Sequence, residues 1–107
     1  MRLIGCIASG QPEVQIHHME GSTFRHKKEW VGQWWVLPIS WELHDVNSND
    51  SLNVTHNKNG FHRYYGSPDA LLLEARNRVL AMNPDADVPP EHIIELAHDY
   101  YEPKEVT

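Results

Sequence analysis

A chain of 107 residues, 40% hydrophobic and 22% charged, holds one domain with a modest core, which excludes a disordered chain. No apolar run reaches the ~20 residues that a membrane helix needs, and a single cysteine excludes an internal disulfide. The net charge of −6 argues against a nucleic-acid partner only until its distribution is considered.

Residues 1–66 carry six Lys/Arg and six acids, whereas residues 67–107 carry three Lys/Arg and nine acids. The first two thirds are neutral and histidine-rich, and can approach phosphate. The last third repels it. The opening Met1-Arg2-Leu3-Ile4-Gly5-Cys6 is too short for a secretory signal, so a cytoplasmic setting is expected.

In chain order, residues 3–8 read as a short strand or an apolar lead-in. Ser9-Gly10-Gln11-Pro12 is turn chemistry, and Val14-Gln15-Ile16-His17 alternates as a returning strand does. Together they predict a hairpin ending on the pair His17-His18. Residues 19–33 read as a loop with a basic cluster at Arg25-His26-Lys27-Lys28, which serves equally as a solvated tip or as a phosphate contact. Trp34–Ile39 is apolar and β-prone, with Pro38 marking an edge or an exit.

Ser40 is an N-cap for a short helix through His44 and Asp45. The polar run from Asn47 to Ser51 then breaks it, and helix resumes around Leu52–His56 or near Gly60–Tyr65. Ser67-Pro68-Asp69 starts a further helix with Leu72, Ala75, Val79 and Met82 on one face, stopped at Asn83-Pro84. Another follows Pro89-Pro90 with Ile93, Leu96, Ala97 and Tyr100 as its apolar face.

The histidines carry the chemistry. His17-His18 closes one apolar run, and His44 and His56 lie beyond a second. One imidazole of such a pair can bind a divalent cation while its neighbour takes a proton from water. The bland alternative is two polar residues at a strand end.

Turn, strand ending in His-His, loop, strand and His-bearing helix is the order of the ββα-metal site of HNH nucleases. Cys6-Ile-Ala-Ser-Gly-Gln-Pro, Ile16-His17-His18, Leu37-Pro38-Ile39-Ser40, His44-Asp45, His56, Phe61 and Tyr65-Gly66 resemble more closely the phage recombination-enhancement nucleases, which are RecA-dependent HNH enzymes. The resemblance covers about residues 6–66. It implies an α+β fold in a single domain: a small β-hairpin or strand plus helix unit over 1–66, then an acidic two-helix extension over 67–107.

The same resemblance implies a metal-dependent DNA endonuclease from a phage-infected or prophage-bearing host. His17 and His44 would hold Mg, Mn or Zn, with His56 or Asp45 as a further ligand. His18 would be the base and Arg63 the neutraliser of transition-state charge. Arg25, Lys27, Lys28 and Lys58 would hold the DNA backbone, and a recombinase filament or another protein is a further implied partner.

Ser9 and Ser40 stand where that family has cysteines, so no structural zinc is expected and Cys6 is left as a small buried residue. Residues 19–35 lack the asparagine of the HNH triad, Gln33 being the nearest substitute. The alternative reading is a catalytically inactive HNH-derived module that binds DNA or a protein.

Overall fold

The computed structural model describes residues 4–101. Its elements run β1 (Gln15–His18), β2 (Arg25–His26), β3 (Glu29–Trp30), β4 (Val36–Ile39), α1 (Trp41–His44), α2 (Lys58–Tyr65), α3 (Pro68–Met82) and α4 (Glu91–Tyr101). The fold is α+β, as the sequence predicts. Among the described residues no helix is long and apolar enough to cross a membrane.

The predicted first hairpin does not form. β1 pairs antiparallel with β4, in the register Gln15↔Ile39, Ile16↔Pro38, His17↔Leu37 and His18↔Val36. The lead-in (Leu3 lies outside the described residues) instead coils into a turn. Gly5 there has φ +70, and an added Cβ would stand 2.8 Å from the Gln11 carbonyl oxygen. That close approach is open to glycine alone. Cys6 N–H donates to the Gln11 carbonyl, and Ile7 N–H donates to the Pro38 carbonyl at 2.9 Å. Proline offers no N–H, but its free carbonyl fixes the lead-in against β4.

The second strand is shorter than its apolar run. Trp34 and Trp35 sit in the preceding turn, with their N–H groups on the Val31 carbonyl. Trp35 is fully buried and donates its Nε1–H to the Ile93 carbonyl, so it packs as core while its one polar atom is satisfied. The rest of the core includes Leu37 and Ile39 from β4, Leu43 from α1, Phe61 from α2, Leu71, Leu72, Ala75 and Val79 from α3, and Ile93, Ile94 and Ala97 from α4, with Cys6, Ile7, Met19, Val31 and Val54 from the connecting segments.

The two C-terminal helices fall where the caps place them, Pro68 occupying the first turn of α3. The faces differ in detail from the periodic reading. Leu71 and Ile94 are buried, whereas Met82 is 61% exposed at the end of α3 and Tyr100 is 41% exposed. The acidic extension reaches the basic segment: Asp99 of α4 meets His26 Nε2 at 2.8 Å and Lys27 Nζ at 3.0 Å.

Candidate metal centre

β1 and α1 bring His17 and His44 together. Their rings meet edge to face with centroids 5.0 Å apart. Two imidazoles holding one ion through nitrogens at ~2.0–2.1 Å place their centroids roughly 5 Å apart, so the observed spacing suits a shared ligand. The strand pleat sends neighbouring side chains to opposite faces. His17 is accordingly half-buried, and His18, the last residue of β1, is exposed.

His44 is held in one orientation. The Asn47 N–H, then the Gln15 side-chain amide, hold the Asp45 carboxyl below the usual carboxylate range. Gln15 Nε2 donates to Asp45 Oδ2 at 3.1 Å, which turns Gln15 Oε1 toward His44. An amide oxygen only accepts, so His44 Nδ1, 2.6 Å away, must donate. The Nε2 lone pair of His44 is therefore left bare.

A third imidazole lies near the pair, and it is not the one the sequence suggested. His56 is exposed, and its Nε2 is taken by the Val46 carbonyl at 2.6 Å. His62 of α2 lies close enough to His17 to help depress its pKa. Its Nδ1 meets the Gly66 carbonyl at 3.0 Å, which again leaves the Nε2 lone pair bare. The Nε2 atoms of both His17 and His62 are buried with no hydrogen-bond partner. His62 was overlooked because it sits in Phe61-His62-Arg63. Its signal was adjacency to Phe61, which is fully buried.

Electrostatics keep all three rings neutral. Burial, then the neighbouring His44, His62 and Lys58, push His17 down to about 4. Burial also lowers His44, against the opposing pull of Asp45, and lowers His62, against its hydrogen bond to Gly66. Neutral imidazole is the form that binds metal. Orphaned buried nitrogens are rare unless something occupies them, and the unpartnered Nε2 atoms of His17 and His62 are of the kind that binds a divalent cation. Among the described residues, no three His, Cys, Asp or Glu side chains are grouped closely enough to hold a metal ion as they stand. A groove of about 500 Å³ lies along α3 and His98 and includes none of the three histidines.

The other expected residues scatter. Arg63 is exposed on α2, and Gln33 is exposed on the turn before β4. Lys58 pairs with Glu20 at 3.3 Å, and Glu20 also accepts from the Tyr101 hydroxyl at 3.0 Å. Arg25 lies over the Trp30 ring, and Lys27 and Lys28 form the tip between β2 and β3.

Asn53 is the polar residue that sequence reasoning missed. It is fully buried just beyond the polar run Asn47–Ser51. Its Nδ2 donates to the Glu42 and Asp45 carbonyls, and its Oδ1 accepts from Thr55 and His56 N–H. The Thr55 hydroxyl adds a bond to the His44 carbonyl. The C-terminal carbonyls of α1, which a four-residue helix cannot satisfy internally, are thereby closed, and His44 is held at the site. The signal was Asn53 between apolar Leu52 and Val54.

Cys6 is buried, as predicted. Burial pushes its thiol up, but hydrogen bonds from Ser9, and backbone N–H donors of Ser40 and Ala8, more than offset this and leave it below its ordinary value. Ser9 N–H reaches the sulfur at 3.3 Å.

No protein-family description, no curated protein and no solved structure matches this chain.

Proposed function

We propose that the protein is a metal-dependent DNA endonuclease of the HNH type, with its cation held by His17, His44 and His62. The observation that carries this reading is the ring contact of His17 with His44, with buried, unpartnered Nε2 atoms on His17 and on nearby His62. His62 replaces His56 in the ligand set because the Val46 carbonyl already occupies His56 Nε2. The bound cation, Mg, Mn or Zn, supplies charge stabilisation at a phosphate oxygen and at the departing 3′ oxygen.

The chain's own residues do the rest. His18, exposed at the end of β1, takes the proton of the attacking water from the solvent side. Arg63 neutralises charge on the scissile phosphate, and the basic tip at Lys27-Lys28 with Arg25 holds the backbone. The resemblance to recombination-enhancement nucleases supports a phage-related role beside a recombinase filament.

A second reading, an inactive HNH-derived module, draws on one observation: the pleat turns His18 to the face opposite His17. Cleavage of plasmid and of single-stranded circular DNA with each of Mg²⁺, Mn²⁺ and Zn²⁺ separates the two. The nuclease reading expects cleavage that His18→Ala abolishes while metal binding persists. Metal and DNA binding without cleavage under every cation selects the module. Failure to bind any cation, unchanged by His62→Ala, removes both.

A further inference from the structure

We infer that the β2–β3 hairpin is a single-strand binding platform, on which Trp30 stacks an unpaired base while Arg25 and Lys28 hold the flanking phosphates. The inference rests on the nuclease reading only for its choice of nucleic acid as partner. Its observations come from a separate part of the molecule.

The hairpin has an unusual tip. A two-residue turn joins Arg25–His26 to Glu29–Trp30, with the register Arg25↔Trp30 and His26↔Glu29. Lys27 and Lys28 fill that turn with φ of 50° and 68°, and they are the only non-glycine residues with positive φ among the described residues. Turns of this kind favour Asn-Gly, because other L-residues are strained there. Two lysines in those positions give up local stability and place two cations at the tip. Strain of this sort collects where a site needs its side chains.

The face beside the tip is aromatic. Trp30 is 59% exposed, although a side chain of its size normally finds cover. The Arg25 guanidinium lies 4.4 Å from its ring centroid, directly across the ladder. An exposed indole backed by a cation, on a hairpin with lysines at its tip, is the composition of a base-stacking surface. In a duplex the base faces are occupied by their neighbours, so the indole selects an unpaired strand.

The hairpin is also braced from behind. Asp99 of α4 binds His26 and Lys27, and Phe24, His26 and Tyr100 pack edge to face at 5.2–5.3 Å between centroids. One of the two tip lysines is therefore partly neutralised by Asp99. Lys28, exposed and outside that ion pair, and Arg25 are the cations assigned to phosphate.

The test is fluorescence anisotropy of the full chain with labelled oligothymidylate of about fifteen nucleotides and with a duplex of equal length, in chelator so that no cleavage intervenes. Trp30→Ala is expected to weaken single-strand binding roughly 5- to 150-fold, and Trp30→Phe to retain most of it. The double variant Lys27→Asn/Lys28→Gly is expected to melt at a higher temperature than the parent, yet to bind more weakly. Its dependence of log affinity on log salt should fall by about 0.7, the share of the one phosphate contact that Lys28 makes. Because this variant is the more stable protein, misfolding cannot explain its loss.

Unchanged binding in Trp30→Ala overturns the inference, even if the lysine variant binds weakly, since that leaves charge without stacking. Equal or tighter binding of the duplex overturns it too. Single-strand binding through Trp30 in a protein that cleaves nothing removes the nuclease reading and leaves the platform. Cleavage with normal binding in both hairpin variants does the reverse.

Discussion

Gln15 Oε1 stands 2.6 Å from His44 Nδ1, and that one contact decides which nitrogen of His44 is available. The relay runs from Asp45 through the Gln15 amide to the imidazole. It selects the tautomer whose Nε2 is unprotonated, with no charge placed on the ring.

Removing the relay should weaken metal binding without dismantling the fold. Gln15 is only half-buried, so Gln15→Leu keeps most of its packing. Loss of such an orienting partner costs 10- to 100-fold in metal affinity. Isothermal titration with Zn²⁺ or Mn²⁺ checks this, with thermal melting in chelator as the control for folding.

Stability should fall as pH drops below neutrality. The folded pKa of His17, about 4, lies below its unfolded value near 6.5. Above pH ~6.5 the ring is neutral in both states and contributes nothing. Between about 6.5 and 4 the unfolded chain takes up a proton that the native site refuses, so each pH unit costs up to ~1.4 kcal/mol. His44 and His62 are shifted in the same direction. Urea unfolding from pH 7 to pH 4.5 should show this slope, and His17→Leu should flatten it.

Asn53→Ala should destabilise by about 2–3 kcal/mol, because it strands buried carbonyls and N–H groups at once. Asn53→Asp keeps the acceptor and loses both donations to Glu42 and Asp45, so it should recover little. A lower urea midpoint with an unchanged slope is the expected readout. In Asn53→Ala, the edge-to-face contact between His17 and His44 should loosen as well, visible in their imidazole NMR signals.

The Cys6 turn should accept a metal when its missing thiols are supplied. Ser9 and Ser40 both direct backbone N–H groups at the Cys6 sulfur, and Ser40 is buried beside it. The double variant Ser9→Cys/Ser40→Cys is expected to retain zinc through dialysis, measured by elemental analysis, whereas the parent's turn should not. Zinc retained equally by both proteins at this turn would contradict the geometry.

The legible parts of the fold were those with local causes. Pro68 at the start of α3 and the alternation in β1 are short-range signals, and both elements formed where they were read. The partner of β1 was not legible. Turn residues at 9–12 suggested a neighbour close in sequence, but Leu37 and Ile39 offered a buried face that the lead-in could not. The site divides the same way. His17 and His44 were readable from their flanking runs. His62 entered only because α2 folds back onto β1, and His56 dropped out because a backbone carbonyl competed for it. Asn53 was marked only by its apolar neighbours Leu52 and Val54, a faint sign directly after a polar run.

The contacts at the end of α4 also set an order of events during synthesis. Asp99 reaches back 73 residues to His26, and Tyr101 reaches back 81 residues to Glu20. Contacts of such sequence separation form late. On the ribosome, β2 and β3 emerge early and stay without their brace until residues 99–101 have been made. The nascent chain therefore carries its most basic segment in a loosely held form, and the segment takes its final orientation only when translation has passed α4.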